Sequence, residues 1–328
     1  MKGRIWLCLA GIAALAAIIA VPSALAAYTS PKLQVQQAGD TVAIKASQAT
    51  DDDPTAVVLI GAPSGTQLTT TQAPGTVLGN VDALIIATTL GGAQVPVKGQ
   101  VVVAAPGQVP ADEVTACLGG QQPAAVWLLV LSAAGQQLSL PVYVVSDPAV
   151  AIVACLPYPA TATIGAKLVS AAFSIKGVFS PVSVGAWIAI WIPWSADGTS
   201  VNEAGAVASP AAVAPGAVTI AAKRSGKAGA IVTGKVTQAG QARGGASVQI
   251  FGGTKKTGLK RLGRASVGSS GTFRFKARAG TYFRATAVAA SVDAPPLCTA
   301  LAPALAPIPC VNATTSGFTA QSKTVRKK

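Results

Sequence analysis

The chain reads as all-β: two antiparallel β-sandwich domains behind a secretory leader, or three if a second small sandwich begins near Thr161. Three observations carry this reading. Apolar residues make up 51% of the 328 residues but aromatics only 5%, a composition for many short strands with thin cores. Runs of alternating apolar and polar residues recur along the chain and are bounded by Gly, Pro, Asn or Asp, as strands joined by tight turns are. Helical periodicity is slight throughout.

Residues 1–26 open with Lys2 and Arg4 and continue as an apolar run from Ile5 to Val21. They end in Pro22-Ser23-Ala24-Leu25-Ala26, an A-x-A pattern of small residues. This is the three-part build of a signal peptide, with cleavage expected after Ala26 or Ala27. The longest later apolar run, Ala186 to Trp194, falls far short of the ~20 residues a membrane helix needs and ends in Pro193-Trp194. The mature chain is therefore expected outside the cytoplasm, at the cell surface or in the medium, without a transmembrane segment.

Residues 27–209 supply the first sandwich. Leu33 to Val35, Val42 to Ile44 and Val57 to Ile60 read as strands, separated by turn chemistry at Gly39-Asp40 and Asp51-Asp52-Asp53-Pro54. Val101 to Val103 and Val126 to Leu131 follow, and Ser132 to Gln136 turns the chain into Leu138 to Val145. Pro141 marks an edge or a bulge. Ala166 to Phe179 and Ala186 to Ile192 complete the set, with a sub-boundary expected, if anywhere, at 156–165. The Pro/Ala-rich stretch 210–219 reads as a linker. Residues 220–328 form a second, basic domain.

Four cysteines follow the leader, and an exported chain can oxidise them. Four allow three pairings. Local closure of the proline-rich loop between Cys298 and Cys310 is the simplest, and it leaves Cys117 to pair with Cys155. That loop closure stabilises by roughly 3 kcal/mol on the chain-entropy account.

Charge is unevenly placed. Residues 27–215 hold 5 basic and 10 acidic residues, whereas residues 216–328 hold 18 basic residues and the single acid Asp293. In the basic domain, Phe273, Phe275 and Ala277 alternate with Arg274, Lys276 and Arg278, which places three cations side by side on an outer face. Lys255, Lys256, Lys260, Arg261 and Arg264 precede them in the connection to that strand. A surface of one sign attracts polyanions, so anionic cell-wall polymer or acidic polysaccharide is the expected partner. Cations also serve to keep strand edges from pairing and the protein in solution. The basic positions are not interleaved with aromatics, which argues against a dedicated nucleic-acid platform.

Histidine is absent from the sequence. That removes the usual general base, the Ser-His-Asp and Cys-His arrangements and imidazole metal sites. No cofactor, metal site or catalytic centre is expected. A carboxylate-based hydrolase would need two carboxylates facing each other across roughly 5–10 Å; carboxylates are sparse and mostly at apparent turns, and finding Asp112, Glu113, Asp147, Asp197 and Glu203 scattered at turns would end that reading. Asp51-Asp52-Asp53 lacks the spaced ligands, glycine and distal glutamate of a calcium loop and reads as a solvated turn. Trp187 and Trp191 share one strand face and read as core. Trp194, at the strand end, is the candidate for stacking a sugar.

Two resemblances accompany these readings. Gly234-Lys235-Val236, Gly245-Ala246-Ser247-Val248-Gln249-Ile250, Gly271-Thr272-Phe273-Arg274-Phe275 and Gly280-Thr281-Tyr282 resemble the successive strand signatures of the carboxypeptidase-regulatory-like, or transthyretin-like, β-sandwich. The likeness covers roughly the last third of the chain and implies an immunoglobulin-like fold with no catalytic motif. Tyr28 to Leu33, Asp52 to Ala56 and Ala125-Val126-Trp127 resemble uncharacterised secreted bacterial proteins, a likeness that implies no activity. Together these features lead to an expectation of a non-catalytic structural or adhesive envelope protein, with carbohydrate binding through Trp194 as the alternative.

Overall fold

The computed structural model describes residues 28–133, 136–147, 149–162, 165–180, 184–294 and 307–328. The expected leader and Cys298 lie outside the described residues. The first domain contains β1 (Lys32–Ala38), β2 (Thr41–Ser47), β3 (Thr55–Gly61), β4 (Val77–Ala87), β5 (Ala93–Val103), helix α1 (Ala111–Leu118), β6 (Ala125–Ala133) and β7 (Gln136–Val145). It continues with β8 (Ala151–Cys155), β9 (Ala166–Lys176), β10 (Gly185–Pro193) and β11 (Val207–Val213). The second holds β12 (Gly216–Ser225), β13 (Gly229–Gln238), β14 (Gln241–Ala242), β15 (Ser247–Gly253), β16 (Lys260–Ser266) and β17 (Thr272–Ala277). Its last elements are β18 (Tyr282–Ala289), β19 (Val292–Ala294), β20 (Ala313–Thr315), β21 (Gly317–Gln321) and β22 (Val325–Arg326). The all-β class is as the alternation predicts.

Where two facing sheets were expected for 27–209, the strands instead form one antiparallel run, in the order β1-β2-β9-β4-β5-β6-β7-β8-β3-β10-β11. The chain's last segment fills the gap between the two ends of that run. β20 lies parallel to β11, with Ala211 opposite Thr314, and the start of β21 lies parallel to β1, with Gln36 opposite Gly317. The run thus closes into a barrel. Inward residues from around it, among them Leu33, Ile44, Val58, Val81, Val101, Val142, Ile152 and Trp187, form a single apolar cluster, as a closed barrel requires. A sandwich strand and a barrel strand both show one apolar face, so alternation does not separate them. Curvature does. Gly79 and Gly99 sit where a Cβ would fall 1.6 Å from the Ser174 carbonyl oxygen and 2.0 Å from that of Val130. Neighbouring strands close in on these bare backbones, and register shifts at Val77/Gly79 and Leu84/Ile85 add bend.

No boundary falls at 156–165, because β9 pairs with β2 and β4 while β10 pairs with β3. The stretch expected as a linker is strand apart from Ala214 and Pro215. Pro210 is accommodated opposite Ile188 in β11, whose other side has only the short partner β20. Pro141 likewise has a partner on one side, Leu128, since β8 pairs only with Tyr143 to Val145.

Helix α1 was not legible in the strand pattern. Asp112 and Glu113 occupy its first turn, where the exposed amide groups favour negative charge, and Gly119 ends it in the left-handed region at φ 62°. Val114, Cys117 and Leu118 pack outside the barrel against Tyr143, Val145 and Val153. Cys117 is bonded to Cys155 on β8. Cys310 is also disulfide-bonded.

The second domain is a sandwich. β12, β13 and β17 make one sheet, with β14 at its end. β16, β15 and β18, extended by β21 and β22, make the other. Val232, Val236, Val248, Ile250, Phe273 and Phe283 fill the space between them. Gly317 to Gln321 closes this second sheet against β18, and before it the chain leaves the sandwich at Ala289 to pair β19 with β20 on the barrel, so the two domains share their last strands.

Candidate functional site

The expected cations are exposed but divide between the two sheets: Arg274 and Lys276 lie in β17, whereas Lys260, Arg261 and Arg264 lie not in a connection but in β16 of the other sheet. Phe273 and Ala277 are buried while Arg274, Lys276 and Arg278 are exposed, as are Lys255, Lys256, Lys260, Arg261 and Arg264. Register carries the surface further than the linear sequence shows. Thr233 lies opposite Arg274 and Ile231 opposite Lys276, while on the other side Lys223 faces Ile231 and Thr219 faces Lys235. Lys223, Lys235, Arg274 and Lys276 therefore share one sheet surface, and all four are exposed. Sequence alternation within each strand hinted at the two lysines, but only pairing could place them beside the arginine. Asp293, the sole acid after residue 215, is taken by Lys32 of the first domain at 2.8 Å. It lies in the β19 hairpin against the barrel and not on the cationic face.

The remaining sequence candidates are dispersed. Asp112 and Glu113 start α1, Asp147 lies in the β7–β8 connection, and Asp197 and Glu203 lie in the β10–β11 connection. Asp197 accepts hydrogen bonds from Ser195 Oγ at 2.6 Å, Thr199 N at 3.1 Å and Thr199 Oγ1 at 2.9 Å. These bonds hold its carboxyl below the usual carboxylate range in an exposed turn. Asp52 is not solvated as expected. It is 1% exposed, and its carboxylate accepts from Thr29 N, Thr29 Oγ1 and Ala49 N, which ties the first residues to the β2–β3 turn. Among the described residues no group of three or more His, Cys, Asp or Glu could hold a metal.

Trp194 is half-buried, not an open platform. Its indole N–H donates to the Leu156 carbonyl at 3.2 Å and its ring meets Tyr158 edge to face at 5.8 Å. It anchors the strap that leaves β8 and runs to β9. These two strands are not neighbours in the circuit, so the strap crosses one end of the barrel.

Beneath that strap lies a cavity of about 540 Å³, which no sequence motif announced. Its walls come from β2 to β9 and its rim from Leu138, Pro157, Pro159 and Ala162; its only polar lining residues are Thr55, Thr161 and Lys167. The far end is filled: Phe179 is wedged edge to face between Trp127 at 6.1 Å and Trp187 at 5.4 Å. Lys167 donates its ammonium protons to the carbonyls of Thr50, at 2.9 Å, and Asp52. Burial pulls this ammonium below its ordinary pKa, and the aspartates at 51, 52 and 53 oppose that shift. Nearby, Tyr28 Oη and Thr55 Oγ1 lie 2.9 Å apart and Thr55 donates to Gln48 Oε1 at 2.7 Å.

No protein-family model matches the sequence, and no curated protein matches it. A solved structure similar to it is that of dimeric latent PorU from Porphyromonas gingivalis, at 10% identity and a TM-score of 0.17. The match covers 90% of this chain and 34% of that one, so this chain spans about a third of its length.

Proposed function

We propose that the chain is a non-catalytic, exported envelope protein that holds to anionic surface polymer through the cationic face of its C-terminal sandwich. The observation that carries this reading is the one-sign outer surface of the β12–β13–β17 sheet, where Lys223, Lys235, Arg274 and Lys276 are exposed side by side, with the domain's only acid engaged elsewhere. Such a surface attracts a polyphosphate or polyuronate at long range and releases its counterions on contact. The two-sheet packing of residues 216–328 supports the carboxypeptidase-regulatory-like reading, and the disulfides support export. Sugar stacking on Trp194 gains no support from a ring already covered by Tyr158.

The test uses the whole mature chain, because residues 310–318 belong to both domains. Binding to poly(glycerol phosphate) is titrated at low and physiological salt, beside a variant with Arg274→Ser, Lys276→Ser and Arg278→Ser. Binding that persists at physiological salt and drops at least tenfold in the variant upholds the reading. Equal binding by both proteins, or none at physiological salt, ends it.

A further inference from the structure

The barrel cavity carries an inference independent of the cationic face. Protein interiors pack to crystal-like density, and a well-made core leaves few voids larger than a water molecule. A space of about 540 Å³ inside an eleven-strand run is therefore a feature of the fold, within the roughly 300–1,000 Å³ range of small-molecule sites. Side-chain size makes it: Ala46, Ala83, Ala154 and Ala171 face inward where larger residues would fill the lumen, and Ala83 lies directly opposite Ala171. The far end is blocked by Phe179, while the near end is spanned by the strap and by the β2–β3 connection, whose Pro54 reaches the cavity. Apolar side chains reach the outside at that end, where Leu138 is 36% and Leu90 64% exposed.

The shape is a blind apolar shaft with one polar corner. At about 30 Å³ per water-sized group, it holds roughly eighteen such groups in single file or lightly folded. That suits one acyl chain and is too small for a two-chain lipid. The polar corner decides the head group. A lysine ammonium has three donors, of which two serve the carbonyls of Thr50 and Asp52, leaving one for a ligand oxygen. Those two carbonyls and the buried carboxylate of Asp52, itself held by Thr29 and Ala49, already surround the ammonium, so the corner offers an anionic head little uncompensated positive charge. We propose that the barrel binds one single-chain, uncharged acyl lipid, its chain in the lumen and its ester or hydroxyl oxygen at Lys167.

Titration of the mature chain with 1-dodecanoylglycerol, followed by calorimetry and native mass spectrometry, tests this. Binding of one molecule per chain is expected, and dodecanoate at pH 8 should bind at least tenfold more weakly. Ala171→Trp, or Ala83→Trp on the facing strand, should fill the shaft and weaken the ester at least tenfold without lowering the melting temperature of the unliganded protein. A chain-brominated analogue should quench Trp127 in the unaltered protein, a readout that needs no variant. The proposal fails if the folded wild-type chain binds no ester, if a folded tryptophan variant binds it equally well, or if dodecanoate binds as tightly as the ester.

Discussion

Closing the barrel with the chain's last strands makes the two domains stand or fall together, and one methyl group can test that. Thr314 is 1% exposed, and its hydroxyl donates to the Leu33 carbonyl of β1 at 2.7 Å, across a sequence distance of 281 residues. Thr314→Val keeps the shape and removes the donor, leaving a buried carbonyl without that bond, at a cost of about 1–3 kcal/mol. With a urea dependence of roughly 3 kcal/mol per molar for a chain of this size, the unfolding midpoint should fall by about 0.3–1 M. The assay is selective: after the leader, the tryptophans are Trp127, Trp187, Trp191 and Trp194, all in the barrel. A substitution in the C-terminal segment should therefore move the tryptophan-detected transition. Ser209→Ala is the control. Its hydroxyl serves the Pro31 carbonyl, which Asn312 also reaches, so the loss should be smaller. A tryptophan midpoint unmoved by Thr314→Val would refute closure by the 310–318 segment.

Three further outcomes follow from the same structure. Replacing Cys117 and Cys155 by serine opens a loop of sequence separation 38 and should cost about 4 kcal/mol on the chain-entropy account, read as a lowered thermal midpoint. Phe179→Ala removes the wedge between Trp127 and Trp187 and should cost roughly 3–5 kcal/mol, with a red-shifted tryptophan emission as water reaches the floor of the shaft. Burial raises the Tyr28 phenol above the ordinary tyrosine value of 10.0, so its neutral form stabilises the fold fully below that pH and the contribution fades as pH climbs past it. Urea midpoints should stay level from pH 7 to 9 and decline above 10, and Tyr28→Phe should decline less steeply; parallel profiles would count against this assignment.

Much of the cationic face was legible because a strand has a period of two: once Phe273 and Phe275 point inward, Arg274 and Lys276 must point outward. Lys223 and Lys235 were not, since their nearness to Arg274 depends on which strands pair. The Cys117–Cys155 bond was reached by difference, from the expectation that Cys298 and Cys310 close their own local loop. Helix α1 was missed because its eight residues make barely two turns, too few for a periodic signal, and its stability comes from packing on the barrel's outside. The cavity was invisible for a different reason. Ala83 and Ala171 look like any small core residues until the register sets them opposite each other, and emptiness has no motif.

The amino-acid sequence by itself determined the all-β class, the basic and acidic halves, the absence of histidine chemistry and the faces of most strands. These rest on composition and on short-range sterics, which act between neighbours in the chain. The tertiary structure alone decided that the first domain is a barrel, that residues 310–318 close it and that a shaft remains inside. Those features depend on how far a sheet curls before its edges meet. Curvature accumulates from glycine gaps and bulges in separate strands, and the pairing of Leu33 with Thr314 has no trace in either segment read alone.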